Sequence, residues 1–165
     1  MSDTRADLVG VGGWLAFLVI VLSVFTPFGL IVGPLLDLYA DPEVALFYAP
    51  VWVTLQTVIW VTAFAGVALC YFLVYRLNRV ENWTTVRLTI AGLWIIGVGT
   101  NAVHLAAVSL LADIPLDLLL AEGAVPFLRA IIFAIVWTSY LLLSRRVANT
   151  YRRGASSEEL AGRFA

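Results

Sequence analysis

The stretch LVGVGGWLAFLVIVLSVFTPFGLIVGPLL, residues 8–36, runs for 29 residues without a charge. A helix rises ~1.5 Å per residue, so about 20 mostly apolar residues cross ~30 Å of hydrocarbon. This stretch is long enough, and it is apolar around its whole circumference, which leaves no face for water. It exceeds the roughly 7–15 apolar residues of a signal peptide. The preceding Asp3, Arg5 and Asp7 supply no net positive charge, so the segment reads as an uncleaved span.

Three more stretches read the same way. Residues 50–75 and 88–112 carry no charge, and residues 123–144 carry one, Arg129. The sequence therefore predicts an all-α integral membrane protein: a four-transmembrane-helix bundle in a single domain over residues 1–165, with a frayed tail at 152–165. Composition agrees. Of 165 residues, 62% are hydrophobic and 13% charged, whereas soluble domains are about half apolar and a quarter charged. One cysteine, Cys70, excludes a disulfide scaffold. Nine Phe, six Trp and six Tyr exclude disorder. A net charge of −1 argues against nucleic acid as a partner and leaves the lipid bilayer.

Arginine placement predicts orientation. All ten basic residues are arginine. Arg5, Arg76, Arg79, Arg87, Arg145, Arg146, Arg152, Arg153 and Arg163 fall on one side of the four spans. The loops at 37–49 and 113–122 hold none and carry Asp37, Asp41, Glu43, Asp113, Asp117 and Glu122 instead. Both termini are thus expected in the cytoplasm. Tyr39, Phe47, Tyr48 and Trp52 are expected at the outer interface, and Tyr75, Trp83 and Tyr151 at the inner one. Trp60, Trp94 and Trp137 lie deeper and are expected between helices. Residues 115–121 read as a short leucine-rich interfacial helix.

Two segments carry a resemblance. One is Gly10-Val11-Gly12-Gly13-Trp14-Leu15, at the entry to the first span. The other is Trp137-Thr138-Ser139-Tyr140 followed by Ser144-Arg145-Arg146-Val147-Ala148-Asn149-Thr150-Tyr151. With four spans in this length, the chain resembles the bacterial membrane family catalogued as domain of unknown function 2569. That pattern has proline where this chain has Ser139, lysine at Ala148 and phenylalanine at Tyr151. The resemblance implies the fold and an inner-membrane location; it implies no activity. Read physically, the finish is a membrane exit. Arg145 and Arg146 would complement a helix C-terminus and meet anionic headgroups, and Val147 and Tyr151, spaced i, i+4, would lie on the membrane surface.

Polar groups inside a span are costly unless paired, so they point to function. Gln56, Asn101, His104 and Arg129 all map to the outer half of the bilayer. Counting from Arg87, Arg145 and Arg76, His104 stands about 25 Å above the inner boundary, Arg129 about 24 Å and Gln56 about 30 Å. With Asp37, these four form the expected outward-facing ligand cluster. Arg129 is expected to point into the bundle, on one face with Phe133 and Tyr140, and to make the cluster anion-binding. Its alternative is to snorkel to the headgroups. Pro27, with Gly29, Gly33 and Pro34 nearby, predicts a kink in the first span.

On a helical wheel of the third span, Gly92, Gly99, Ala102, Ala106 and Ser109 share one side, and Gly97, Asn101 and His104 fall opposite. The small-residue side admits close approach of another backbone. Two demanding faces on one helix predict either a wedged position or a homodimer. No metal-ligand spacing, cofactor motif, Ser–His–Asp arrangement or intramembrane carboxylate is present. The expected function is therefore a non-enzymatic accessory or interaction protein, with itself or an unidentified membrane protein as partner. The alternative is a small transporter or a lipid- or anion-binding protein that uses the outer polar cluster.

Overall fold

The computed structural model describes residues 10–39 and 48–151. Helix α1 is built from three consecutive pieces, Trp14–Ile20, a π-helical turn Val21–Phe25, and Thr26–Tyr39. Helix α2 is Trp52–Arg79. Helix α3 is Trp83–Ala112, interrupted by a second π turn at Ile95–Gly99. Helix α4 is Leu116–Leu143, and a short helix α5 covers residues 145–151. Four helices are long and apolar enough to cross a membrane.

The π turn of α1 has a cause in the sequence. Pro27 lacks an N–H and cannot return a bond to the carbonyl four residues back. The chain accommodates this by widening the preceding turn, where the Thr26 N–H donates to the Val21 carbonyl five residues back. In α3 the wide turn contains Gly97 and Gly99, which weaken the α geometry, and the Thr100 N–H reaches the Ile95 carbonyl.

The helices pack in chain order, α1 on α2, α2 on α3 and α3 on α4. Helices α1 and α4 meet at the end of the bundle that holds Gly10 and Tyr151, around Trp137. Its ring is 6% exposed and touches Trp14, Phe17, Phe133 and Tyr140 at centroid distances of 6.4, 6.0, 6.2 and 5.8 Å. Such aromatic pairs contribute about 0.5–1.5 kcal/mol each beyond area burial. The core clusters at this same end: Leu15, Leu18 and Leu22 of α1, Cys70, Leu73 and Leu77 of α2, and Leu141 of α4. At the opposite end, the segment Thr100–Ala112 of α3 contains no buried residue.

The two segments that carried the family resemblance form one clasp. Gly13 begins α1 at φ 56, ψ −131, a backbone conformation that side chains disfavour. Gly12 sits so close to the Arg146 guanidinium that a Cβ there would collide with it. The Gly10 N–H donates to the Thr150 hydroxyl at 2.9 Å. Ser144 leaves the α4 helix with φ −70, ψ 122, and its hydroxyl accepts from the Val147 N–H at 3.5 Å, at the start of α5. Val147 and Tyr151 are fully buried. The Tyr151 hydroxyl donates to the Leu77 carbonyl at 2.7 Å. That carbonyl belongs to the last turn of α2, where helices leave acceptors without partners.

Several expectations need correction. The first helix starts at Trp14, because the glycine turn precedes it, and α3 starts at Trp83. Residues 115–121 form no separate interfacial helix: Leu116 opens α4, which continues without a break. Val147 and Tyr151 turn into the core instead of lying on the membrane surface. Arg145 and Arg146 begin α5 and do not end α4. Trp137 is packed between helices as expected, whereas Trp94 is 36% exposed and holds α4 through its indole N–H to the Thr138 hydroxyl at 3.1 Å. Tyr39, Phe47 and the tail 152–165 lie outside the residues whose side chains are described.

Tyr151→Phe keeps the ring and removes the donor. It should lower stability by about 1–3 kcal/mol, the cost of a buried acceptor left unpaired, as read from unfolding in mild detergent. Burial first, then Glu81 and Tyr140, push the Tyr151 phenol above its ordinary value. The folded chain therefore keeps a proton that the unfolded chain releases near pH 10, and stability should fall as pH rises above about 10. The phenylalanine variant should show a shallower alkaline fall.

Candidate functional site

The far half of the bundle holds Asn101 and His104, two of the polar side chains singled out in the sequence. A partly enclosed notch of about 210 Å³ lies between α1, α2 and α3. Gly29 and Pro34 contribute from α1, Ala63 from α2, and Thr100, Asn101 and His104 from α3. Both π turns position it. Gly29 follows the first by one helical turn, and Thr100 and Asn101 directly follow the second. Wide turns of this kind occur often at functional sites because they re-aim the side chains that follow.

The polar groups are anchored locally. The Asn101 amide donates to the Gly97 carbonyl at 2.8 Å, and the Thr100 hydroxyl leans on the Ile95 carbonyl at 3.4 Å. His104 Nε2 lies 2.7 Å from the Thr62 hydroxyl of α2. That hydroxyl is also 2.9 Å from the carbonyls of Val58 and Ile59. A hydroxyl has one hydrogen. When Thr62 donates to its own helix, His104 Nε2 is the donor of the interhelical bond.

The expected cluster is only partly assembled. Asn101 and His104 line the notch. Gln56 is half-buried on α2, one turn nearer the loop end than Ile59, and is not among the lining residues. Arg129 does not join them. It is exposed on α4, flanked by exposed Val125, Leu128 and Ile132, while Ala134 and Trp137 face the bundle. Phe133 is 36% exposed, so the face shared by Arg129 and Phe133 does not point inward as expected. Arg129 lies six residues into the apolar window Gly123–Leu143, about 9 Å, within reach of a headgroup for its long stem. Asp37 falls in α1, and its side chain lies outside the described residues. The described lining of the notch therefore lacks the arginine that was expected to make it anion-binding.

The small-residue stripe of α3 also divides. Gly92 is buried, and a Cβ there would collide with Leu73 of α2. Gly99 lines a separate apolar groove against Gly66 and Leu69 of α2. Ala102 and Ala106 are exposed beside a groove of about 360 Å³ that Leu116, Leu120 and Phe127 of α4 share. The Ser109 hydroxyl donates to the Ile114 carbonyl at 2.8 Å, tying down the end of α3. Gly97, expected with the polar face, packs instead on Ala130 of α4, where a Cβ would stand 3.6 Å from the alanine methyl. Thr62 and Thr100 were not anticipated in the site; the glycines of the π turn were the available signal.

Four long apolar helices with polar atoms held at helix interfaces define a multi-pass helical membrane protein. The chain belongs to the family described as "Protein of unknown function (DUF2569)", whose sequence model matches residues 8–152. No curated protein and no solved structure matches it.

Because Arg129 faces outward, Arg129→Leu should insert normally and change unfolding free energy in mild detergent by no more than about 0.5 kcal/mol, as exposed substitutions do. Arg129→Lys should behave the same. A large loss for leucine that lysine rescues would return Arg129 to a structural or ligand role.

Proposed function

We propose that this chain is a non-enzymatic accessory protein of the bacterial inner membrane, with both termini in the cytoplasm, which assembles through its helix faces with a second copy of itself. The observation that carries the reading is the far half of α3. From Thr100 to Ala112 it contains no buried residue, yet it presents exposed Ala102 and Ala106 beside the groove to α4. In lipid, helix association depends on close van der Waals packing, and small residues permit it. The lack of any catalytic constellation in the sequence supports a role without chemistry. The nine-to-none arginine split supports the orientation. The Gly10–Thr150 hydrogen bond is consistent with it, since it joins the segment that enters α1 to α5 on one side of the bundle.

Topology reporters fused after Ala112 and after Ala165 should report opposite compartments, the second cytoplasmic. A periplasmic C-terminus would overturn the orientation.

The dimer is tested by mass measurement in nanodiscs across a range of concentrations. The native chain should give two copies. Replacing Ala102 and Ala106 together by leucine should give one copy with an unchanged melting temperature, since both positions are exposed. A native chain that stays monomeric throughout would defeat the assembly reading.

A further inference from the structure

We propose that the notch between α1, α2 and α3 binds the head of an uncharged, membrane-dissolved lipid whose polar atoms are carbonyl or hydroxyl oxygens. This assignment is independent of the dimer and uses a different face of the same segment of α3.

Size is the first argument. About 210 Å³ equals roughly seven water molecules at ~30 Å³ each, below the ~300–1,000 Å³ of a site for a drug-sized ligand. It fits a small head, with the rest of the molecule left in the bilayer. Charge is the second. Among the described residues the lining is formed by Thr100, Asn101, His104 and apolar residues, with no arginine or carboxylate. An ion placed there would lose its hydration, and the described lining offers it neither an arginine nor a carboxylate as countercharge. Arg129, the one arginine of the fourth helix, is exposed and stands outside the notch.

Hydrogen-bonding capacity is the third. Asn101 makes a single bond, from its amide nitrogen to the Gly97 carbonyl. A carboxamide has a second N–H and a carbonyl oxygen, and both remain available on a side chain that lines the notch. The Thr100 hydroxyl makes one long bond at 3.4 Å. A ligand oxygen accepting from Asn101, or a ligand hydroxyl donating to it, completes these groups where the bilayer offers little water.

Access is the fourth. Gly29 lines the notch and is also exposed, and nothing lies within 4 Å of the place a Cβ would occupy. One rim of the notch therefore reaches the outer surface of a membrane-spanning helix, so a lipid enters sideways between helices.

The test uses the full chain in phosphatidylcholine nanodiscs, with retained probe counted by native mass spectrometry. The neutral probes are decylubiquinone, with ring carbonyls, and dioctanoylglycerol, with ester carbonyls and a hydroxyl; dodecyl phosphate is the charged control. At least one neutral probe should be retained at one per chain and dodecyl phosphate should not, and the probe that binds identifies the source. Asn101→Leu should weaken retention at least tenfold. Gly29→Phe, which grows into open space and leaves the melting temperature unchanged, should block it. The proposal is overturned if neither neutral probe is retained, if dodecyl phosphate binds as well as they do, or if Gly29→Phe binds like the native chain. The last arm decides the matter even where Asn101→Leu fails to fold.

Discussion

The hydrogen bond from Tyr151 to the Leu77 carbonyl closes the end of the bundle on which the rest of the packing depends. A helix that ends near a bilayer leaves carbonyls without donors, and lipid supplies none. Helix α2 ends at Arg79, so the carbonyl of Leu77 has no turn above it to receive. A side chain 74 positions away meets it, and to do so α5 must fold back under the bundle. That return brings Thr150 to the Gly10 N–H and Arg146 over Gly12. Both helix ends are then pinned to each other, and Trp137 fills the space between α1 and α4. The same economy of donors recurs elsewhere. Thr85 bonds the Val80 carbonyl and Ser109 the Ile114 carbonyl, each beside a helix end.

The π turns explain why the loop end differs. One extra residue in a turn rotates everything after it by about 100° relative to a regular helix. In α3 this separates Gly92, which packs on Leu73, from Ala102 and Ala106, which face outward. It also parts Gly97, packed on Ala130, from Asn101 and His104, which turn toward α1 and α2. A helix that seemed to need two opposed partners thus serves three neighbours in succession along its length.

The spans and their number were legible in the sequence, because uncharged length has one physical reading. The faces were not. A wheel drawn at a constant 100° assumes an unbroken α-helix, and Ile95–Gly99 violates it. The inward placement of Arg129 failed for another reason. Sequence gives depth along a helix but not rotation about it, and α4 spends its inward face on Ala130, Ala134 and Trp137. The clasp was hidden because its pairings span 140 and 74 positions. The short residues that make it, Gly10, Gly13 and Thr150, mark a turn or a cap without naming a partner.

The departures from the family pattern acquire physical content in this light. Ser139, standing where the pattern has proline, is exposed, and α4 runs unbroken past it to Leu143. A proline there would withhold an N–H from the helix just above the exit and favour a bend. Tyr151, standing for phenylalanine, adds one oxygen to a ring that is buried in either case, and that oxygen finds the Leu77 carbonyl. A continuous α4 fixes where Ser144 begins α5, and a rigid start for α5 holds a single hydroxyl within 2.7 Å of its acceptor.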